Sequence, residues 1–85
     1  MVGKIRKLDH TGDSVLAEFN TEQADTVKIA QDKLTAFLDS CVKQFGKQPP
    51  VWHKRMGEKE FSPMDQIVLD EHTEEVLVQY PIAGG

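Results

Sequence analysis

The chain has 85 residues, with 10 Lys and Arg against 14 Asp and Glu, for a net charge of −4. A chain this short makes one small domain that buries only about 60–65% of the surface exposed by its unfolded form, which excludes a two-lobed enzyme with an interdomain cleft. Its hydrophobic share of 39% and charged share of 28% belong to a folded protein, while the acidic balance argues against non-specific nucleic-acid binding and points to a basic protein surface as the charged partner.

The first strand is expected at residues 4–8, where Ile5 and Leu8 have opposite parity, a break in alternation that implies a bulge or a strand covered on both faces. Asp9-His10-Thr11-Gly12-Asp13 is a polar turn whose Gly12 can supply a positive φ. From Ser14 to Phe19 the pattern alternates, with Val15, Ala17 and Phe19 on one face and Leu16 and Glu18 on the other, so the two strands form a hairpin. Asn20 and Thr21 are capable N-caps, and Gln23 stands three after Asn20 as in a capping box. Val27, Ala30, Leu34, Phe37, Leu38, Cys41 and Phe45 then recur at spacings of three and four, one apolar stripe along a helix of roughly five turns. Gly46 suits its C-terminal cap, and Pro49-Pro50 prevents the helix from resuming.

Val51 to Met56 is a short strand with Trp52 and Met56 as its expected buried pair. Gly57 to Lys59 is a turn, and Phe61 anchors a very short fourth strand. Ser62-Pro63-Met64-Asp65 places a capping serine, a proline and an acid as at the start of a single helical turn. Asp70-Glu71-His72-Thr73 is another turn. Glu75 to Tyr80 closes the chain as a strand with apolar residues on both faces of Val76-Leu77-Val78, the mark of a central strand.

A hairpin, one long helix, a strand, a helical turn and a final apolar strand make an α+β domain, a mixed sheet of four to five strands packed on one helix. One helix covers one face of such a sheet and leaves the other to solvent or a partner. If the last strand is central, its simplest neighbour is the first.

The chain ends Tyr80-Pro81-Ile82-Ala83-Gly84-Gly85 directly after the last strand. This resembles the C-terminus of the molybdopterin synthase small subunit, and also those of the thiamine sulfur carrier, the small archaeal modifiers and ubiquitin. The hairpin with its Thr11-Gly12 turn, the helix, and the Ser62–Ile67 turn before the last strand follow the ubiquitin order. The resemblance in element order covers most of the chain; that in motif covers residues 76–85. The helix is about two turns longer than ubiquitin's, Pro49 to Arg55 matches no sulfur-carrier motif, and the tail lacks ubiquitin's arginines. The resemblance implies a β-grasp (ubiquitin-like) domain over residues 1–80 and a flexible Gly-Gly tail over 81–85. It also implies a carrier or modifier activated at its terminal carboxylate by an adenylating enzyme and passed to an acceptor protein, by sulfur transfer or by conjugation to a lysine. A β-grasp interaction module whose glycines never react is the alternative, and an oligomer-forming subunit a third.

The carboxylate of such a tail attacks the α-phosphate of ATP, and a sulfur or amine nucleophile then displaces AMP. Gly84 and Gly85 lack Cβ atoms, so they can thread a narrow slot and leave the reacting carbonyl open. The reading requires Gly85 to carry the free carboxylate. Leu77, Tyr80, Pro81 and Ile82 are the expected docking residues. Leu77 and Leu16 are placed on the uncovered sheet face, where they would join Pro81 and Ile82 in an apolar patch.

Cys41, the single cysteine, lies on the helix stripe as an inert core thiol and excludes an intramolecular disulfide or a multi-cysteine zinc site. His10, His53 and His72 lack metal-site spacing and are expected at the surface; no metal site and no cofactor is expected. Asp70, Glu71, Glu74 and Glu75 are either a solvated acidic turn or a steering patch for a basic docking site. Trp52 beside Lys54-Arg55 is assigned to the core or the uncovered face rather than to nucleic-acid stacking. No catalytic constellation stands at recognisable spacing, so the chain is taken as non-catalytic. The charged N-terminus has no signal-peptide core and no run approaches ~18 apolar residues, so no membrane association and a cytoplasmic location are expected.

Overall fold

The computed structural model describes residues 2–9 and 12–79. The elements are β1 (Val2–Asp9), β2 (Gly12–Asn20), α1 (Ala24–Phe45), β3 (Val51–Arg55), β4 (Ser62–Pro63) and β5 (Thr73–Gln79). The architecture is α+β, with one helix packed on a five-stranded mixed sheet of order β2-β1-β5-β3-β4. The last strand is central, as its two-sided apolar run requires. It runs parallel to β1, with Ile5 opposite Val76, and antiparallel to β3, with Val51 opposite Val78.

The stripe on α1 buries Ala30, Leu34, Leu38 and Cys41. Facing it from the sheet are Ile5, Ala17, Phe19, Val51, Val76 and Val78, and Met64 and Leu69 complete the core from the chain after β4. Each large aliphatic side chain buried here contributes about 1.5–3 kcal/mol relative to exposure. The helix runs 22 residues, about a turn longer than expected, and stops where Gly46 takes the left-handed conformation (φ 81°) and donates its N–H to the Val42 carbonyl at 2.8 Å.

The start of the helix corrects the expected cap. Gln23, in an extended conformation, holds the cap position and makes no side-chain capping bond. Asn20 cannot serve because it is still the last residue of β2, opposite Val2. Its side chain instead accepts the Glu22 N–H at 3.0 Å, while Thr26 Oγ1 accepts the Asn20 N–H at 2.9 Å and so ties the turn to the helix.

Two bulges reset the parity of side chains. In the hairpin, Ile5 faces Ala17 but Arg6 faces Val15, so Leu16 is an extra residue. Val15 therefore leaves the face of Ala17 and Phe19 and is 51% exposed, whereas Leu16, expected on the uncovered face, packs against the core. In β5, Lys54 faces Glu75 but Arg55 faces Thr73, making Glu74 the extra residue. On β3, Val51 turns to the core opposite Val78 and Trp52 points the other way opposite Leu77. The expected buried pair of Trp52 and Met56 is thus corrected: Trp52 is half-buried on the uncovered face and Met56 is 44% exposed.

No helical turn forms at Ser62 to Asp65. Ser62 and Pro63 pair with His53 and Trp52 as the edge strand β4, and the Met64 N–H donates to the Val51 carbonyl at 2.9 Å. The ladder bond and the burial of Met64 outweigh the local helix-start preference, and proline is tolerated because β4 is an edge. Between there and β5 a side chain on α1 binds the backbone of the chain. Gln31 Nε2 donates to the Ile67 carbonyl at 2.6 Å, and its Oε1 accepts the Leu69 N–H at 2.7 Å. Replacing Gln31 with Ala leaves both partly buried backbone groups without this partner and is expected to cost about 1–3 kcal/mol. Thr35→Ala, which removes only a 3.3 Å contact to Gln31, is expected to be near neutral; urea unfolding midpoints compare the two.

Gly3 lies opposite Phe19, and a Cβ at Gly3 would overlap the Phe19 ring and press on the Glu74 carbonyl. The glycine is what lets the ring lie across β1. Gly3→Ala is expected to destabilise the domain by about 1–3 kcal/mol through overpacking. Phe19→Leu in the same chain is expected to cost less in the Gly3→Ala background than alone, which a double-mutant cycle reads directly.

Candidate functional site

The face of the sheet away from α1 is built from alternate residues of its strands. Cross-strand pairing places Arg6, Leu77 and Trp52 in one row and Lys4, Glu75 and Lys54 in the next. Val15 stands beside Arg6, and Leu8 beside Gln79. Leu77, expected in the docking set, is half-buried at the centre of this face between Arg6 and Trp52. Tyr80, Pro81, Ile82, Gly84 and Gly85, together with the tail at 81–85, lie outside the described residues. So does His10.

Several charges on this face are locally matched. The Arg6 guanidinium lies against both Asp13 and Glu75. Lys54 Nζ is 3.7 Å from Glu74 and 5.7 Å from the centre of the Phe61 ring. The indole Nε1 of Trp52 donates to Gln79 Oε1 at 3.1 Å. Leu77 and Trp52 form a short apolar row beside Arg6, and with the neighbouring charges largely neutralised it presents shape and apolar surface to a partner more than a directed field.

The acidic residues around the last turn are likewise engaged. Glu74 and Glu75 pair as above, Glu71 lies 3.4 Å from His72 Nε2, and Asp70 lies 3.2 Å from Arg55 Nη2. Asp70 also accepts the His72 N–H at 2.8 Å and the Thr73 hydroxyl at 3.3 Å, and its own N–H donates back to Thr73 Oγ1 at 3.1 Å. That reciprocal pair satisfies Thr73, which is wholly buried. Burial pushes the Asp70 carboxyl up, but the His72 N–H, the Arg55 guanidinium and the Thr73 hydroxyl together hold its pKa below the ordinary value.

His53 departs from its expected surface position. It faces the core side opposite Val76, and its Nδ1 is buried with no hydrogen-bond partner among the described residues. It lines an open cleft of about 350 Å³ with Arg55, Asp65 and Asp70. A second open cleft, of about 360 Å³, lies between Thr21, Ala24 and Val27 at the start of the helix and the Asp70–His72 turn. Cys41 is 1% exposed, and burial raises its thiol pKa against the smaller opposing influence of Lys7. Among the described residues no group of three or more His, Cys, Asp or Glu side chains gathers as for a metal ion. Nor is any helix among them long and apolar enough to cross a membrane.

The Trp52–Gln79 contact escaped sequence reasoning, although the parity that sets Trp52 opposite Leu77 also sets it diagonal to Gln79 on the same face. No family model matches this chain, and no curated protein or solved structure matches it.

A carboxylate whose folded pKa is depressed stabilises the protein above its unfolded pKa, and that contribution disappears as pH falls through the folded value. Asp70→Asn is therefore expected to lower stability at neutral pH. The gap from wild type should close progressively as the solution is acidified below the carboxylate range. Urea titrations of both proteins at a series of pH values check the sign; a gap that widens with acid contradicts it.

Proposed function

We propose that the chain is a ubiquitin-like β-grasp carrier or modifier whose Gly85 carboxylate is activated by a partner adenylating enzyme. The observation that carries this reading is the strand order β2-β1-β5-β3-β4 with β1 and β5 parallel and one helix on one face. In that arrangement the last strand is central and leads directly into Tyr80-Pro81-Ile82-Ala83-Gly84-Gly85.

In the activation step a Gly85 carboxylate oxygen bonds to the α-phosphorus of ATP and pyrophosphate leaves, giving an acyl-adenylate. A sulfur nucleophile or a lysine amine then attacks the carbonyl carbon and AMP departs. The absence of Cβ atoms at Gly84 and Gly85 favours both a narrow approach and attack on an unshielded carbonyl. On this reading the chain is substrate and carrier, the adenylating enzyme supplies the catalysis, and an acceptor protein receives the product. On this reading Leu77 and Trp52 on the uncovered face serve in docking, together with Tyr80, Pro81 and Ile82, which follow β5 in sequence. The partly exposed apolar row on that face also favours a second reading, a β-grasp module that binds a protein partner without reacting.

The test is the intact mass of the untagged protein purified from its native cells, followed by fragment mapping of Gly85. The carrier reading expects a thiocarboxylate, trapped by alkylation to separate it from methionine oxidation, or a Gly85 isopeptide on another protein. An unmodified Gly85 in every growth condition, with an unchanged phenotype on deleting Gly84 and Gly85, leaves the binding module.

A further inference from the structure

Cross-strand pairing carries the first row of the uncovered face across all five strands. Val15 faces Arg6, Arg6 faces Leu77, Leu77 faces Trp52, and Trp52 faces Pro63. One step along the strands, Glu18 faces Lys4, Lys4 faces Glu75, and Glu75 faces Lys54. From β2 to β3 this second row alternates acid, base, acid, base. Asp13 stands beside Leu8 in a third row. The bases of the three rows are Lys4, Arg6 and Lys54, and the acids are Asp13, Glu18 and Glu75, so their charges cancel on a chain of net charge −4. The excess acid lies outside these rows, which makes this a face that two like-charged copies can bring together without mutual repulsion.

The alternating row has a further property: reversed end to end, every position changes sign. A second copy can lie face to face on the first about a two-fold axis parallel to the strands and midway between β1 and β5. Each row then meets itself in reversed order. Glu18 meets Lys54 of the second copy, Lys4 meets its Glu75, and the two-fold repeats both pairs, so all four charges are matched. The same axis sets Val15 over Trp52 of the second copy and Leu77 over the apolar stem of its Arg6, with the sheets aligned about 10 Å apart.

We propose that the uncovered sheet face is the interface of a homodimer, its occupant a second copy of this chain. Four strand spacings and three rows make a patch of about 19 by 14 Å. That is small beside the roughly 800 Å² per partner of a standard stable interface, so the dimer forms and dissociates readily. The proposal needs nothing from Gly85. On the carrier reading the same Leu77 and Trp52 serve in docking, so a chain within the dimer is closed to its enzyme.

Sedimentation velocity of the full chain between about 10 µM and 1 mM is expected to show reversible dimer formation. Glu18→Lys and Lys54→Glu each turn one matched pair, and its two-fold copy, into like charges. Each is expected to weaken dimerisation roughly tenfold or more. Mixed in equal amounts, the two variants are expected to associate about as well as wild type. The new lysine of one then meets the new glutamate of the other, while Lys54 of the first meets Glu18 of the second. Far-UV circular dichroism and urea midpoints of the separate variants distinguish lost association from lost fold. Should either variant fail to fold, Lys4→Glu and Glu75→Lys repeat the comparison on the other matched pair. A wild-type chain that stays monomeric at about 1 mM, folded single variants that still dimerise as wild type does, or a mixture that stays monomeric overturns the proposal. None of these outcomes depends on modification of Gly85, so the carrier reading stands or falls separately.

Discussion

The parallel pairing of β1 with β5 is the constraint on which the rest of the structure depends. It joins residues 4–8 to residues 75–79, near the two ends of the described residues, and so closes the chain between them into one loop. The entropy of that closure must be offset by what the pairing buries. The offset comes from Ile5, Val76 and Val78, all wholly buried between the sheet and the helix. With both terminal strands in the middle, β2 must lie outside β1, and β3 and β4 outside β5. The single helix then covers one face, and β5 lies at the centre of the sheet rather than at its rim.

That arrangement gives the two faces different physics. On the covered face, apolar burial decides, and even a missing Cβ at Gly3 is used to seat the Phe19 ring. On the uncovered face, Arg6 is shared between Asp13 and Glu75, and Lys54 between Glu74 and Phe61. Partly exposed pairs of this kind add little stability. Their effect is to order long side chains around Leu77 and Trp52, so that a small apolar row lies within a nearly neutral surround. Trp52 is there both part of the row and the donor of a hydrogen bond to Gln79 Oε1.

The chain between β4 and β5 shows how a segment without regular structure is held. Met64 and Leu69 are buried, Gln31 bonds to the backbone on either side of Val68, and Asp70 closes the turn with Thr73 while pairing with Arg55. Two core anchors and two polar clamps do the work that a helical turn would otherwise do. The Asp70–Thr73 contact lies directly at the start of β5.

The helix, the hairpin and the central last strand were legible in the sequence because each rests on local periodicity: an apolar stripe from Val27 to Cys41, alternation around Gly12, and Val76-Leu77-Val78 with apolar residues on both faces. The left-handed stop at Gly46 was legible for the same reason, since its cause is confined to one residue. The role proposed for Gly84 and Gly85 rests on a motif resemblance alone, and both glycines lie outside the described residues. Tertiary structure alone decided the positions where a local preference met a longer-range demand. The extra residues Leu16 and Glu74 arise from how two strands must match, which alternation within one strand does not record. Ser62-Pro63 satisfies the pattern of a helix start yet pairs with β3, because the Val51 carbonyl needs a donor and Met64 needs burial. Trp52 turns outward because its neighbour Val51 meets Val78 in the core, and strand geometry allows only one of two consecutive residues to face inward.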